Sequence, residues 1–186
     1  MILPRCGQPP SDKAAIAAEL YSSALPTLET ERLSLRAPTM ADLPVWTTIS
    51  TEAFGDTPKE AWTQFSYYSA GWLLHGHGPF AAIRKSDSEI LGFVLLGLEW
   101  GDHEPELGYF FAKKHHGQGY ATEACAAVRD FGNELLGEGG FVSYVAADNA
   151  RSNALAARLG ATRDPIAESA FGSDQHVWRH GKATLQ

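Results

Sequence analysis

The sequence predicts an α/β protein built on a mixed central sheet with helices on both faces. Three apolar stretches of strand length stand close together mid-chain, PFAAIRK, EILGFVLLGLEW and PELGYFFA, separated only by short polar turns. Downstream the pattern changes to alternation: a long helix YATEACAAVRDFGNELLG, a strand FVSYVAA, and a helix SNALAARLGA. Hairpins produce antiparallel neighbours and helical crossovers produce parallel ones, so one sheet must contain both kinds.

The elements follow in order. Residues 1–26 read as an appendage in which Ser11 or Asp12 caps a short helix with Ile16 and Leu20 on one face. A single domain is expected over 27–186. It opens with LETERLSLRAP, which alternates like one strand and is closed by Pro38. Thr39 caps the helix MADLPVWTTIS, which tolerates Pro44 only in its first turn. The run KEAWTQFSYYSAGWLLHG places Ala61, Phe65, Tyr68 and Trp72 on one helical stripe and stops at Gly76. After the three mid-chain strands and the alternating segment, two weaker strands around Ala161 and HVWRH complete the order β α α β β β α β α β β.

Composition narrows the function. The 186 residues carry a net charge of -7, which argues against duplex nucleic acid as a partner and suits a cationic one. Cys6 and Cys125 are too far apart in sequence to suggest a disulfide framework, and they point to a reduced, cytoplasmic compartment. No apolar run is long enough to span a bilayer, and the proline-broken N-terminus does not read as a signal peptide. Seven histidines are present, but none has the helical or Cys/His spacing of a metal site, so no metal is expected.

The segment HHGQGYATEA carries the strongest local signal. Gly117 and Gly119 stand between a strand and a helix, where backbone N–H groups and the positive end of the helix dipole converge. Such a turn binds phosphate without a lysine, and it also serves as a plain strand-to-helix connection. No Gly-Lys-Ser/Thr follows, and Thr122 stands where a dinucleotide fingerprint needs its third glycine.

The run His116-Gly117-Gln118-Gly119-Tyr120-Ala121 resembles the acetyl-coenzyme A signature of the GNAT superfamily of N-acetyltransferases, (Gln/Arg)-x-x-Gly-x-(Gly/Ala), with His116 in place of Gln or Arg. With ETERLSLRAPTMADL, PELGYFF and DNARSNALAARLGA in the same order, the chain from about Leu28 onward resembles the ribosomal-protein-alanine N-acetyltransferase subgroup. The resemblance implies a GNAT-like, mostly antiparallel sheet whose middle strands splay apart. It implies acetyl-CoA as acyl donor, its pyrophosphate held by the loop from His116 through Gly117, Gln118, Gly119, Tyr120 and Ala121 to Thr122. Backbone groups of Phe110, Phe111 and Ala112, together with Asn149, would hold the pantetheine arm.

Acetyl transfer to an amine needs a base, an oxyanion donor and an acid for the thiolate. Glu106 matches an acidic position of the subgroup and is the base candidate. Glu104 is the alternative, two residues away and so on the same strand face. Ser152 is the acid candidate and is also a good N-cap for its helix. The resemblance implies a common tyrosine acid seven residues after Asn149, but that place is Ala156, so a tyrosine acid is excluded there. The role of Glu123 stays open, since a first-turn acid is already favoured by the helix dipole. The aromatics Trp46, Trp62, Phe65, Tyr68 and Trp72 would be divided between the core and the acceptor site. The acceptor, a protein N-terminus or a small amine, and the choice between monomer and homodimer are not fixed by these residues. A non-catalytic acyl-CoA-binding or regulatory module on the same fold is the other reading.

Overall fold

The computed structural model describes residues 4–137, 140–170 and 174–181. The run LETERLSLRAP forms two strands, β1 (Thr27–Glu29) and β2 (Leu33–Arg36), paired antiparallel with Leu28 opposite Leu35. The reversal uses no glycine or proline. The Thr30 N–H donates to the Leu33 carbonyl, and the Thr30 hydroxyl accepts the Leu33 N–H, both at 2.9 Å. A side chain therefore supplies what turn residues usually supply, which hid the break from the sequence pattern.

Before the next helix, the Asp42 carboxylate accepts the Thr39 N–H at 2.7 Å and pairs with both terminal nitrogens of Arg36. Helix α2 (Leu43–Phe54) then starts with Pro44 in its first turn and ends on left-handed Gly55. Helix α3 (Pro58–Leu74) opens with a capping box in which the Glu60 carboxylate accepts the Thr57 N–H at 2.8 Å.

Strands β3 (Pro79–Arg84), β4 (Ile90–Gly97) and β5 (Glu106–Phe111) form an antiparallel meander. Its centre, β4, is apolar throughout because both of its faces are covered. Phe93 and Leu95 pack with Trp46, Ile49, Ala61 and Phe65 from α2 and α3. Val94 and Leu96 pack with Ala124, Cys125 and Val128 of helix α4 (Tyr120–Leu136) on the other side. Each such large side chain contributes roughly 1.5–3 kcal/mol by leaving water.

Beyond α4, strand β6 (Val142–Ala146) runs parallel to β5 but pairs with it only at Glu106↔Val142. Strand β8 (Gln175–Arg179) inserts antiparallel between β6 and the short β7 (Thr162–Arg163). The eight-stranded order is β1-β2-β3-β4-β5-β6-β8-β7. One residue past the single β5–β6 pair, the Ser143 hydroxyl donates to the Leu107 carbonyl at 2.6 Å, and then the two strands diverge. This fork is the splayed middle of the sheet. Helix α5 (Ala150–Arg158) starts near its open end. A short helix α6 (Pro165–Glu168), absent from the expected order, is begun by Pro165 and capped by the Asp164 carboxylate.

Helix α1 (Asp12–Ser23) buries no residue, and the segment before it is tied to α3 where the Trp62 indole donates to the Cys6 carbonyl at 2.8 Å. Cys6 and Cys125 are both free thiols, the second wholly buried and its thiol pushed up by desolvation. Among the described residues no helix is long and apolar enough to cross a membrane.

Candidate active site

Two cavities open at the fork. The larger, about 970 Å³, is lined by His115, His116, Gly117, Gly119, Tyr120, Ala121 and Thr122, and by Arg151 and Arg158 of α5. Gly117 and Gly119 both have left-handed φ, 76° and 83°, which a side-chain-bearing residue adopts only with strain. A Cβ at Gly117 would meet nothing, so that space is left beside the backbone amides, while a Cβ at Gly119 would sit 3.3 Å from the Arg32 guanidinium. Gly119 caps α4, and the free N–H groups of the first turn stand at this cavity's edge. This geometry fits a pyrophosphate. Gln118 does not line the cavity: its side-chain amide donates to the Lys114 carbonyl, and its own carbonyl accepts from Arg32 at 3.0 Å. His116 lines it while Nε2 donates to the Phe111 carbonyl at 2.9 Å.

Glu123 holds this loop from behind. Its carboxylate accepts the Thr30 hydroxyl at 2.6 Å, the Arg32 N–H at 2.8 Å and the Arg32 Nε–H at 2.7 Å. These bonds keep its carboxyl below the usual range, against the raising effect of burial. Arg32 in turn lies over the Tyr120 ring at 4.4 Å.

The β5 backbone divides by the alternation of an antiparallel ladder. The Ala112 N–H donates to the Leu91 carbonyl and its own carbonyl accepts the His115 N–H, so its N–H is turned to β4 and not to the fork. Phe110, two residues earlier, has the same orientation toward β4. Leu107 and Phe111 instead turn their carbonyls away from β4, to Ser143 and His116. The backbone groups facing the fork therefore belong to Tyr109 and Phe111. Tyr109 thus joins the expected Phe111 on the fork side, while the main chain of Phe110 and Ala112 is turned to β4.

The smaller cavity, about 370 Å³, lies on the α2–α3 side and is lined by Trp46, Gln64, Tyr68, Glu99, Glu106 and Tyr144 among others. Desolvation pushes the Glu106 carboxyl up to about 7, aided by the charges of Asp102 and Glu99; the Tyr144 N–H, 3.4 Å from Oε1, opposes this weakly. Tyr68 donates to Glu99 and is itself pushed up by burial. Glu104 does not line this cavity. It precedes β5 and forms a two-pronged pair with Arg179 of β8, at 2.6 and 2.8 Å, which holds its carboxyl low. Of the five aromatics, Trp46 and Tyr68 line this cavity, Phe65 and Trp72 are core, and Trp62 holds the N-terminal segment.

Phe54, Tyr109, Phe110, Asn149, Ser152 and Leu155 line both cavities. Ser152 does not cap its helix. Asn149 does, its Oδ1 accepting the Ser152 N–H at 3.1 Å. The Ser152 hydroxyl is instead reached by Tyr109, whose OH donates to it at 2.9 Å. Tyr109 was missed by sequence reasoning, although the alternation of PELGYFF places it on the face opposite Glu106.

The acetyltransferase (GNAT) domain profile matches residues 32–162. The chain belongs to this family. An acetyltransferase from Agrobacterium tumefaciens str. C58 is similar at 32% identity, covering 86% of this chain and 96% of its own, with a TM-score of 0.75. The ribosomal-protein-S5-alanine acetyltransferase of Vibrio fischeri shares the fold at 15% identity, with a TM-score of 0.63 over 87% of this chain and 99% of its own. The uncharacterized N-acetyltransferase YnaD of Bacillus subtilis (strain 168) is 20% identical over 99 residues, 53% of this chain. The match spans 58% of that curated relative's length. The GNAT fold accounts for the mixed sheet and its forked centre, with helices on both faces.

Proposed function

We propose that this GNAT protein is an acetyl-CoA-dependent N-acetyltransferase that acts on a primary amine by direct attack in a ternary complex. The observation that carries the reading is the meeting of two cavities, one edged by main-chain amides and the other holding a carboxyl with a pKa of about 7. The acetyl thioester supplies the electrophilic carbonyl. The amides of Gly117 through Thr122, excepting the side chain of Gln118, would hold the pyrophosphate. Fork-facing groups of Tyr109 and Phe111, with the Nδ2 of Asn149, would hold the pantetheine arm, and one of these N–H groups would meet the oxyanion. Glu106 would take the proton from the attacking nitrogen, and Ser152 would protonate the departing sulfur.

Glu106 also favours a class of acceptor. Proton transfer is most efficient between groups of similar pKa, and an α-amino group near about 7.7–8.0 matches Glu106 far better than a lysine-type amine near about 10.4. Among the described residues the smaller cavity is lined by acids and aromatics without a basic side chain, which suits an ammonium-bearing acceptor. A protein N-terminus, an α-amine with no carboxylate beside it, is therefore the acceptor that fits both features.

Glu106 and Ser152 favour the enzyme, while Ala156, standing where a tyrosine acid is common, keeps a second reading open, a non-catalytic acyl-CoA-binding module. Calorimetric titration with acetyl-CoA, followed by thiol release against an amine panel, separates the two. Micromolar binding that is lost in Gly119→Trp, with turnover of an α-amine, is the expected result. Binding without turnover of any amine would leave the module, and no binding to folded wild type would sink both.

A further inference from the structure

Ser152 alone is a poor net acid for a thiolate. Thiols titrate near about 8.5 and phenols near about 10, and an aliphatic hydroxyl holds its proton much more tightly than either. The structure gives Ser152 a phenol partner. Tyr109 OH donates to Ser152 Oγ at 2.9 Å, across 43 residues of sequence, and both side chains line both cavities. Asn149 performs the capping that would otherwise engage the serine hydroxyl. Ser152 thus accepts from Tyr109, while its own hydrogen has no acceptor among the described residues. It also sits in the first turn of α5, where the helix dipole favours negative charge nearby.

We propose that Tyr109 acts through Ser152 as the proton source for the departing thiolate. The inference rests on the acetyl-transfer reading above and deepens its acid half. The acceptor nitrogen bonds to the acetyl carbon, and the carbon–sulfur bond breaks with its electron pair going to sulfur. The Ser152 proton goes to sulfur, and the Tyr109 proton moves to Ser152 Oγ. The phenolate left behind is reprotonated by water from the open cleft, matching the proton that Glu106 takes from nitrogen and returns to water. Tyr109 is a positioning residue here, since it touches the reacting sulfur only through Ser152. Burial raises it above the ordinary phenol range, which makes it a weaker acid than a free phenol, though still a stronger one than the Ser152 hydroxyl that it recharges. Arg158 and the buried Cys125 are the other titratable groups that it feels.

The test is a double-mutant cycle with Tyr109→Phe, Ser152→Ala and the pair, together with the thiol pKa of bound CoA read from thiolate absorbance. Tyr109→Phe should lower kcat roughly 10- to 100-fold without changing the dissociation constant of acetyl-CoA. The pair should be no slower than Ser152→Ala alone, because the phenol has no other route to sulfur. The bound CoA thiol should titrate higher in both single variants than in wild type, whereas loosened packing would admit water and shift it the other way. Additive losses in the cycle, or a bound thiol unchanged by Tyr109→Phe, would overturn the relay while leaving acetyl transfer intact. A wild type that does not bind CoA would overturn the underlying reading, and the relay with it.

Discussion

The two cavities at the fork are built by different means. The larger is edged on one side by the glycine loop around Gly117 and Gly119, which offers main-chain amides, with α5 on the other. The smaller takes side chains from α2, α3, the β4–β5 turn, β5 and β6, and its chemistry comes from carboxyl and hydroxyl groups. A site made of backbone needs particular backbone angles, and those leave a local glycine pattern. A site made of side chains needs only that distant elements meet, which leaves no local trace.

That contrast predicts different responses to substitution. The largest loss of rate is expected at Glu106, where Glu106→Gln should reduce kcat roughly 10²- to 10⁴-fold with acetyl-CoA affinity unchanged. The wild-type kcat/KM should rise with pH through a limb centred near 7, the value to which burial pushes Glu106, and the variant should lack that limb. Stability runs the other way. The folded carboxyl keeps its proton up to about 7 while the unfolded one loses it near 4.5, so wild type loses stability as pH rises across that window. Glu106→Gln should therefore melt higher than wild type at pH 8. A variant as active as wild type, with the limb retained, would remove Glu106 from the chemistry.

A smaller effect is expected behind the glycine loop. Glu123→Gln weakens the bonds to Thr30 and Arg32, and through Arg32 the hold on the Gln118 carbonyl. Affinity for acetyl-CoA should fall about tenfold, in line with the roughly 1.5–3 kcal/mol of a charge-assisted hydrogen bond. An acetylated pantetheine, which lacks the pyrophosphate, should bind both proteins alike. Equal weakening of both ligands would mean that Glu123 supports the fold in general and not the amide-made cavity in particular.

Much of the architecture was legible because it is written locally. The β3–β4–β5 meander shows as strand runs between polar turns, and α4 shows as an apolar stripe following two glycines. The turn within LETERLSLRAP was not legible, because Thr30 closes it through hydrogen bonds that no composition rule flags. In the site, Gly117 and Gly119 could be read directly, while Glu104 and Glu106 could not be told apart by spacing. Their difference comes from Arg179, which reaches Glu104 from 75 residues away. Tyr109 escaped for the same reason: its partner Ser152 is on another element, and only the fork brings the two together.

The smallest expected effect is the one that tests this separation most sharply. Glu104→Gln removes a carboxylate from the same short stretch as Glu106, yet that carboxylate is tied to Arg179 of β8 and does not line the smaller cavity. Arg179 keeps its second partner, Asp164, at 2.8 Å, so the loss should be that of a half-exposed ion pair, about 1 kcal/mol or less. The melting temperature should drop by a few degrees at most, while kcat and the midpoint of the pH limb stay at wild-type values. A limb displaced or abolished by Glu104→Gln would place the base in the Arg179 pair. The smaller cavity's carboxyl would then serve to hold the amine and not to deprotonate it.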